Sequence, residues 1–173
     1  SFFLKPVQMK LYVTLECGDT YAENEWEVYA FPKEEEADHG KLIVTDDVSM
    51  VQLLDWMEEG KDVLLLGHGP FAAQLSTYQI ALAGRTSGIQ ATVINDHPLL
   101  KDLPHDGFCG WQFRRLMENG AAVRFDSPAV PFDPIIEVVS THKFVIPMSA
   151  LFEYNILNGR LLVCSFNFDC SDY

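Results

Sequence analysis

The sequence has few basic residues, no paired-cysteine motif and no long apolar run. Its 173 residues include 12 Lys and Arg against 25 Asp and Glu, which gives a formal net charge of −13. Such a charge repels nucleic-acid phosphates and anionic lipid, so we expect neither nucleic acid nor a membrane surface as a partner. No apolar run reaches the ~20 residues needed to cross a bilayer, and we expect a soluble chain.

Four cysteines are scattered without a CxxC pair, and this spacing does not suit a zinc site. They are Cys17, Cys109, Cys164 and Cys170. Cys164 ends the apolar run 161–164, which is typical of a buried strand, so its thiol should be inert unless it pairs with Cys170. We predict neither a metal nor a cofactor.

The composition otherwise suits one domain with a dense core, since hydrophobic residues make up 48% and aromatic residues 12% of the chain. The acidic run 33–38 resists burial and predicts a solvated loop. Before it, apolar and polar residues alternate over 9–31, and this alternation predicts two antiparallel strands of a β-sandwich. We therefore predict a strand pair in residues 1–32, either the edge of a sandwich domain or a docking extension, and an α/β domain in residues 33–173.

Beyond residue 40, strand-like and helix-like segments alternate. Apolar residues at helical spacing over 50–57 predict a helix that begins after Ser49 and ends at Gly60. The apolar run 63–66 is typical of a parallel strand buried on both faces. Further strands are predicted at 42–44, 91–94, 121–125, 135–139 and 160–166, and further helices at 110–119 and 149–157. The alternation predicts an open parallel sheet with helices on both faces.

The first candidate site is the loop 67–71, which follows the predicted strand 63–66. In open parallel sheets, ligands bind beyond the carboxyl ends of the strands. The two glycines of this loop equally suit a simple tight turn. Because no lysine followed by a hydroxyl residue comes after them, phosphate binding is not predicted.

The second candidate is the loop 95–107, which carries two histidines and three aspartates. Hydrogen bonds that fix the loop explain this composition, and metal ligation is the alternative. If parallel strands end at Leu66 and Ile94, both loops reach one edge of the sheet, where Trp111 serves either as an aromatic face for a sugar or as a core residue. The predicted ligand-binding residues are His68, Phe71, Asp96, His97, His105 and Trp111.

Two motifs resemble catalytic groups but lack the context that catalysis needs. Cys109 stands at a predicted helix start, yet no buried strand leads into it. His142 is not part of a His-x-Glu pair, which an amidotransferase-like triad would need. Asn24 and Glu25 match the acid/base pair of retaining glycosidases, but they precede a strand in a chain too short for a catalytic barrel. No catalytic residue is predicted. The alternative is a stand-alone small hydrolase that uses Cys109 or a His/Asp metal site.

Six segments together carry a family resemblance. They are 24–29, 60–66, 91–100, 107–113, 151–153 and 159–163. They resemble the C-terminal accessory region of family 2 glycoside hydrolases of the β-galactosidase and β-glucuronidase kind. This region is similar in outline to class I glutamine amidotransferase-like domains, including those of the trehalose-utilisation kind.

The resemblance implies a flavodoxin-like sheet without the amidotransferase nucleophile. It also implies that this sheet is joined to an immunoglobulin-like sandwich and to a catalytic barrel in a parent protein. The implied partners are the other domains of that parent and a neutral carbohydrate, in the periplasm or outside the cell. We therefore predict a non-catalytic structural or carbohydrate-binding accessory domain of a larger glycoside hydrolase.

Overall fold

The computed structural model of the chain describes residues 4–33, 38–78, 90–126, 132–139 and 146–169. Residues 34–37 of the predicted acidic loop, His142 and Cys170 lie outside these ranges. The chain divides into two compact units, Ser1–Ala37 with His97–His105, and Asp38–Asp96 with Asp106–Tyr173. The predicted domain division at residues 32 and 33 stays a prediction. Within the described ranges, no helix is both long enough and apolar enough to cross a membrane.

The first unit contains a long two-stranded hairpin. Strands β1 (Val7–Cys17) and β2 (Thr20–Ala30) pair antiparallel over their full lengths, which confirms the antiparallel pair predicted from alternation. Leu11 faces Trp26 across the hairpin, and both side chains are about half exposed. The alternate positions carry charged residues, including Lys10 and Glu25, whose side chains form an ion pair at 3.1 Å.

The second unit is built around one mixed sheet. Its described strands are β3 (Ile43–Thr45), β4 (Asp62–Leu66), β5 (Ala73–Leu75), β6 (Gln90–Ile94), β7 (Ala121–Arg124), β8 (Asp133–Val139), β9 (Pro147–Ile156) and β10 (Gly159–Cys164). Its described α-helices are α1 (Met50–Glu58) and α2 (Arg114–Met117). The strand order is β3-β4-β10-β9-β7-β5, and β8 pairs with both β6 and β9.

The predicted open parallel flavodoxin-like sheet with helices on both faces is wrong. Strand β4 does pair parallel with β3 and β10, but β9 pairs antiparallel with β7, β8 and β10. Parallel neighbours require long crossovers, which are usually helical. In the described part of the chain, α1 has nine residues and α2 only four, so helices do not cover both faces of the sheet.

The helix predicted at 149–157 is also wrong, because this segment forms most of β9. Residues 148–152 are all buried, since β9 lies between β8 on one side and β7 and β10 on the other. A short apolar run does not distinguish a buried strand from a buried helix by its periodicity. The two-residue turn of Leu157 and Asn158 then returns the chain as β10.

Other local predictions are confirmed in whole or in part. Helix α1 begins after Ser49, whose hydroxyl accepts a hydrogen bond from the Gln52 N–H at 3.2 Å, and it ends before Gly60 as predicted. Leu53 and Met57 are its buried residues. The helix predicted at 110–119 is shorter, a 3₁₀ turn at Trp111–Phe113 followed by α2. The five further predicted strands are present as β3, β6, β7, β8 and β10.

An aromatic cluster fills the core beneath the sheet. Its members are Phe71, Phe125, Phe132, Phe152 and Tyr154. Phe152 is fully buried and presents its ring edge-on to the other four, at centroid distances between 4.9 and 6.0 Å. Edge-to-face contacts of this kind add to the stabilisation that burial of apolar surface provides.

Strand direction decides which loops can meet. Strand β6 is antiparallel to β8, β8 to β9, and β9 to β10, whereas β10 is parallel to β4. After three reversals β6 runs opposite to β4, so the strand ends at Ile94 and Leu66 point in opposite directions along the sheet. The prediction that the strands ending at Leu66 and Ile94 reach the same edge of the sheet is therefore wrong.

Candidate functional site

A crevice of about 370 Å³ opens beyond the carboxyl ends of the parallel strands β4 and β10. It is lined by residues 67–68, 73–75, 119–121 and 165–168. Its volume falls within the range of roughly 300–1,000 Å³ that is typical of small-molecule sites. The crevice also lies where the strand-end rule of parallel sheets locates ligands.

The crevice exists because the sheet forks at Ser165. Along one edge of β9, β10 pairs with residues 151–156 and β7 pairs with residues 148–149. Ser165 lies between them, since its N–H donates to the Ala150 carbonyl at 2.9 Å and its carbonyl accepts from the Ala121 N–H at 2.8 Å. Its buried hydroxyl lies 3.1 Å from the Ala150 carbonyl oxygen and 2.7 Å from the Ala121 carbonyl oxygen. The residues after Ser165 are then free to leave the sheet and form one wall.

Gly67 and His68 also line the crevice. The Gly67 N–H donates to the Cys164 carbonyl at 2.7 Å, and its φ of 89° turns the chain at the end of β4. The exposed His68 ring has Nδ1 at 3.1 Å from the Phe71 carbonyl oxygen. Because a carbonyl only accepts, the proton of this hydrogen bond is on Nδ1.

The crevice lining mixes polar and apolar residues and carries no Asp, Glu, Lys or Arg among its twelve residues. The side-chain amides of Gln74 and Asn119 make no hydrogen bond to another residue in the part of the chain that the structure describes. Phe168 is 48% exposed, and its ring lies 6.4 Å from that of Phe166. The crevice therefore offers unused amides beside an open aromatic surface.

Residues 43–172 match a family that is described as a domain of unknown function, DUF8487. The chain belongs to the DUF8487 family. The matched region contains β3 to β10 and every residue that lines the crevice. No curated protein matches the chain.

Of the six predicted ligand-binding residues, His68 lines the crevice of the DUF8487 domain and Phe71 belongs to the core. The Phe71 ring stacks on Tyr154 at 6.3 Å and meets Phe152 edge-on at 5.8 Å. The Phe71 backbone still contributes to the crevice, because its carbonyl accepts a hydrogen bond from Nδ1 of His68.

The other four predicted residues are not among the crevice-lining residues. Asp96 is exposed in the loop after β6, while His97 and His105 belong to the first unit. The His97 ring accepts a hydrogen bond from the Leu99 N–H at 3.2 Å and so caps a 3₁₀ turn. Trp111 is 64% exposed, so of the two roles predicted for it, the core role is wrong.

Sequence reasoning missed Gln74, Asn119, Asn167 and Phe168. Gln74 and Asn119 approach the crevice only through the tertiary fold, and no local pattern marks them. Phe168 had a detectable signal, because it follows the strand predicted at 160–166, and the strand-end rule was applied only to the strands that end at Leu66 and Ile94. Asn167 lies on the same segment but is engaged, donating to the Glu118 carbonyl at 3.0 Å.

The groups considered for catalysis are in unsuitable environments. Cys109 is 1% exposed, and burial raises the pKa of its thiol to about 12. Burial likewise raises the pKa of the Cys164 thiol to about 11. Glu25 lies on the exposed hairpin with Lys10 as its ion-pair partner. Among the described residues, no three or more His, Cys, Asp and Glu side chains are grouped so that they could hold a metal.

We expect thiol reagents to modify Cys17 and to spare Cys109 in the native protein at pH 8. Cys17 is exposed at the hairpin, whereas a pKa of about 12 leaves only about one Cys109 thiol in 10⁴ ionised. Peptide mapping by mass spectrometry after brief alkylation measures both sites. Cys17→Ser should remove the fast alkylation at position 17, and Cys109→Ser should leave the alkylation of Cys17 unchanged. Rapid alkylation of Cys109 in the folded protein would contradict its assignment as a buried core thiol.

Proposed function

We propose that this DUF8487 domain is a non-catalytic carbohydrate-binding accessory domain of a larger glycoside hydrolase, and that it binds a neutral sugar in the crevice. The observation that carries the proposal is the chemistry of the lining. In a chain with a net charge of −13, the crevice presents amides, a histidine and an aromatic ring but no acidic side chain and no Lys or Arg.

This lining matches what a neutral sugar requires. Sugar hydroxyls both donate and accept hydrogen bonds, and the amides of Gln74 and Asn119 have free donors and acceptors to meet them. The exposed His68 ring adds a further hydrogen-bonding group. The C–H face of a sugar ring is apolar, and Phe168 offers it an exposed aromatic surface. A phosphorylated ligand would require cations that the lining lacks.

The alternative function, a small hydrolase, has less support. A nucleophilic Cys109 needs access and a lowered pKa, and burial provides the opposite of both. The loop that suggested a His/Asp metal site divides between the two units, and His97 uses its ring nitrogen to cap a backbone turn. The accessory role in a glycoside hydrolase itself rests on the sequence resemblance.

A titration followed by ¹H–¹⁵N NMR tests the proposal, with glucose, galactose, cellobiose and lactose as probes. We expect saturable shifts at the backbone amides of 67–68 and 165–168 with at least one of these sugars. Phe168→Ala and Gln74→Ala should each weaken that binding by about tenfold, because each removes one contact to the sugar.

Phe108→Ala is the matched control, since Phe108 is 49% exposed and does not line the crevice. It should leave the affinity and the shift pattern unchanged. Saturable shifts confined to other regions would contradict the crevice as the site. If none of the four sugars produced a saturable shift, neutral-sugar binding would be wrong and only the structural role would stand.

A further inference from the structure

Three side chains, of which two are exposed and one is half-buried, form a cluster that is separate from the crevice lining, and we name it the aromatic–arginine patch. The patch consists of Trp111, Tyr78 and Arg114. The Trp111 and Tyr78 ring centroids are 5.7 Å apart with an interplanar angle of 32°, and Arg114 Cζ lies 5.6 Å from the Trp111 ring centroid. Because water solvates a large apolar ring poorly, a 64% exposed tryptophan marks a surface that a ligand can cover favourably.

The patch is held in place by the structure around it. Cys109 and Phe113, two residues to either side of Trp111, are each only 1% exposed, so the backbone between them is anchored while the indole points outward. Tyr78 is fixed through its backbone, whose N–H donates to a Glu118 carboxylate oxygen at 3.0 Å. A preorganised surface loses little conformational entropy when a ligand binds.

The charge at Arg114 is unusual for this protein. Arg124 pairs with Asp126, and Arg160 pairs with Asp62 at 2.9 Å, whereas Arg114 has no carboxylate partner within the residues that the structure describes. Glu118 lies one helical turn from Arg114, but its carboxylate accepts the Tyr78 N–H. In a chain with 25 acidic residues, a guanidinium that lies over an aromatic ring without an ion pair is available for an external anion. Stacking over the ring still leaves the N–H donors at the edge of the guanidinium free.

We propose that the aromatic–arginine patch binds a sugar that carries a carboxylate, of the uronic-acid class. The apolar face of the sugar ring covers the indole of Trp111, with Tyr78 extending the aromatic surface. The carboxylate accepts two hydrogen bonds from the planar guanidinium of Arg114, the geometry that arginine offers to carboxylates. Neither contact involves the crevice, so this proposal does not rest on the function proposed above.

Titration with D-glucuronate, followed through the indole N–H signals, tests the patch. The chain has three tryptophans, so Trp26 and Trp56 serve as internal references for Trp111. We expect a saturable shift at Trp111 with glucuronate. Glucose has the same ring without the carboxylate and should bind at least about tenfold more weakly, and acetate, a carboxylate without a ring, should give no saturable shift.

Substitutions identify the groups responsible. Arg114→Gln should weaken glucuronate binding by about tenfold or more, and Arg114→Lys should fall between Gln and wild type because lysine keeps the charge but not the two-point geometry. Arg160→Gln, which removes an exposed arginine elsewhere, should leave the affinity unchanged. Phe168→Ala should also leave it unchanged, which separates this site from the crevice.

Several results would overturn the proposal. Equal shifts of Trp111 with glucuronate and glucose would show that the carboxylate is not recognised. Equal effects of acetate and glucuronate would show a simple anion site. An Arg114→Gln variant that binds glucuronate as wild type does, or the absence of any shift at Trp111, would equally show that the patch is not a uronate site.

Discussion

Replacing Phe152 with Ala should lower the free energy of unfolding by about 3–5 kcal/mol, the typical cost of removing a buried aromatic side chain. The residue is 0% exposed on the central strand β9. Its ring contacts four other aromatic rings, those of Phe71, Phe125, Phe132 and Tyr154. Because these neighbours are held by several different strands and loops, they cannot all move inward to fill the space, and a cavity remains.

Urea unfolding followed by far-ultraviolet circular dichroism measures this effect. Phe108→Ala provides the comparison, since the same atoms are removed from a side chain that is 49% exposed, and its cost should stay within about 0.5 kcal/mol. Should the two variants prove equally stable, the aromatic cluster would not be the core of this domain. Phe152→Leu should fall between the two, because it leaves a smaller cavity.

Replacing Gly159 with Ala should cost about 2–3 kcal/mol, because the added methyl group has no room. A Cβ at this position would lie 2.7 Å from the Lys61 carbonyl oxygen and 2.9 Å from Met57 Cα. Both are backbone atoms, which cannot move aside as a flexible side chain can.

The clash falls on a contact that closes the end of helix α1. The Asn158 N–H donates to the Met57 carbonyl at 3.2 Å, and the Asn158 side-chain amide donates to the Glu58 carbonyl at 3.0 Å. These bonds satisfy carbonyl groups that the last turn of a helix leaves without partners. An alanine at position 159 therefore pushes the β9–β10 turn away from the helix and weakens both bonds.

Gly110→Ala is the matched control for Gly159→Ala. The nearest atom to a Cβ at position 110 is Oε1 of Gln112, the far end of a flexible side chain, and φ at Gly110 is −79°, which alanine adopts readily. Its effect should stay within about 1 kcal/mol. Thermal unfolding of both variants distinguishes them, and a Gly159→Ala protein as stable as Gly110→Ala would argue against the close contact with helix α1.

The sequence correctly predicted the elements that depend on residues close together in the chain. Strict alternation in β1 and β2 gives each strand one apolar and one polar face, and this predicts a strand without knowledge of its neighbours. Helix α1 combines a serine cap, helical spacing of apolar residues and a terminal glycine, and all three signals agree. The run at 63–66 was correctly predicted as a parallel strand because β4 lies between β3 and β10.

The helix predicted at 149–157 is wrong because burial removes the polar–apolar alternation that marks a strand. Residues 148–152 are all buried, so their sequence lacks polar–apolar alternation and fits a helix as well as a strand. A helix at 149–157 would cross over the sheet, and β10 would then run parallel to the strand before that helix. In the structure, the two-residue turn at Leu157 and Asn158 makes β9 and β10 antiparallel, and strand direction across the rest of the sheet differs accordingly.

The sequence by itself determined the net charge, the hairpin, helix α1 and the strand end at Leu66, since each depends on residues close together in the chain. Only the tertiary structure decided the fork at Ser165, and with it the crevice, because the fork requires β7 and β10 to share one edge of β9. Only the tertiary structure brings together the rings of Tyr78 and Trp111, which are 33 positions apart in the sequence. Pairing energies between distant segments set these arrangements, and a local sequence pattern contains no information about which distant segment will be the partner.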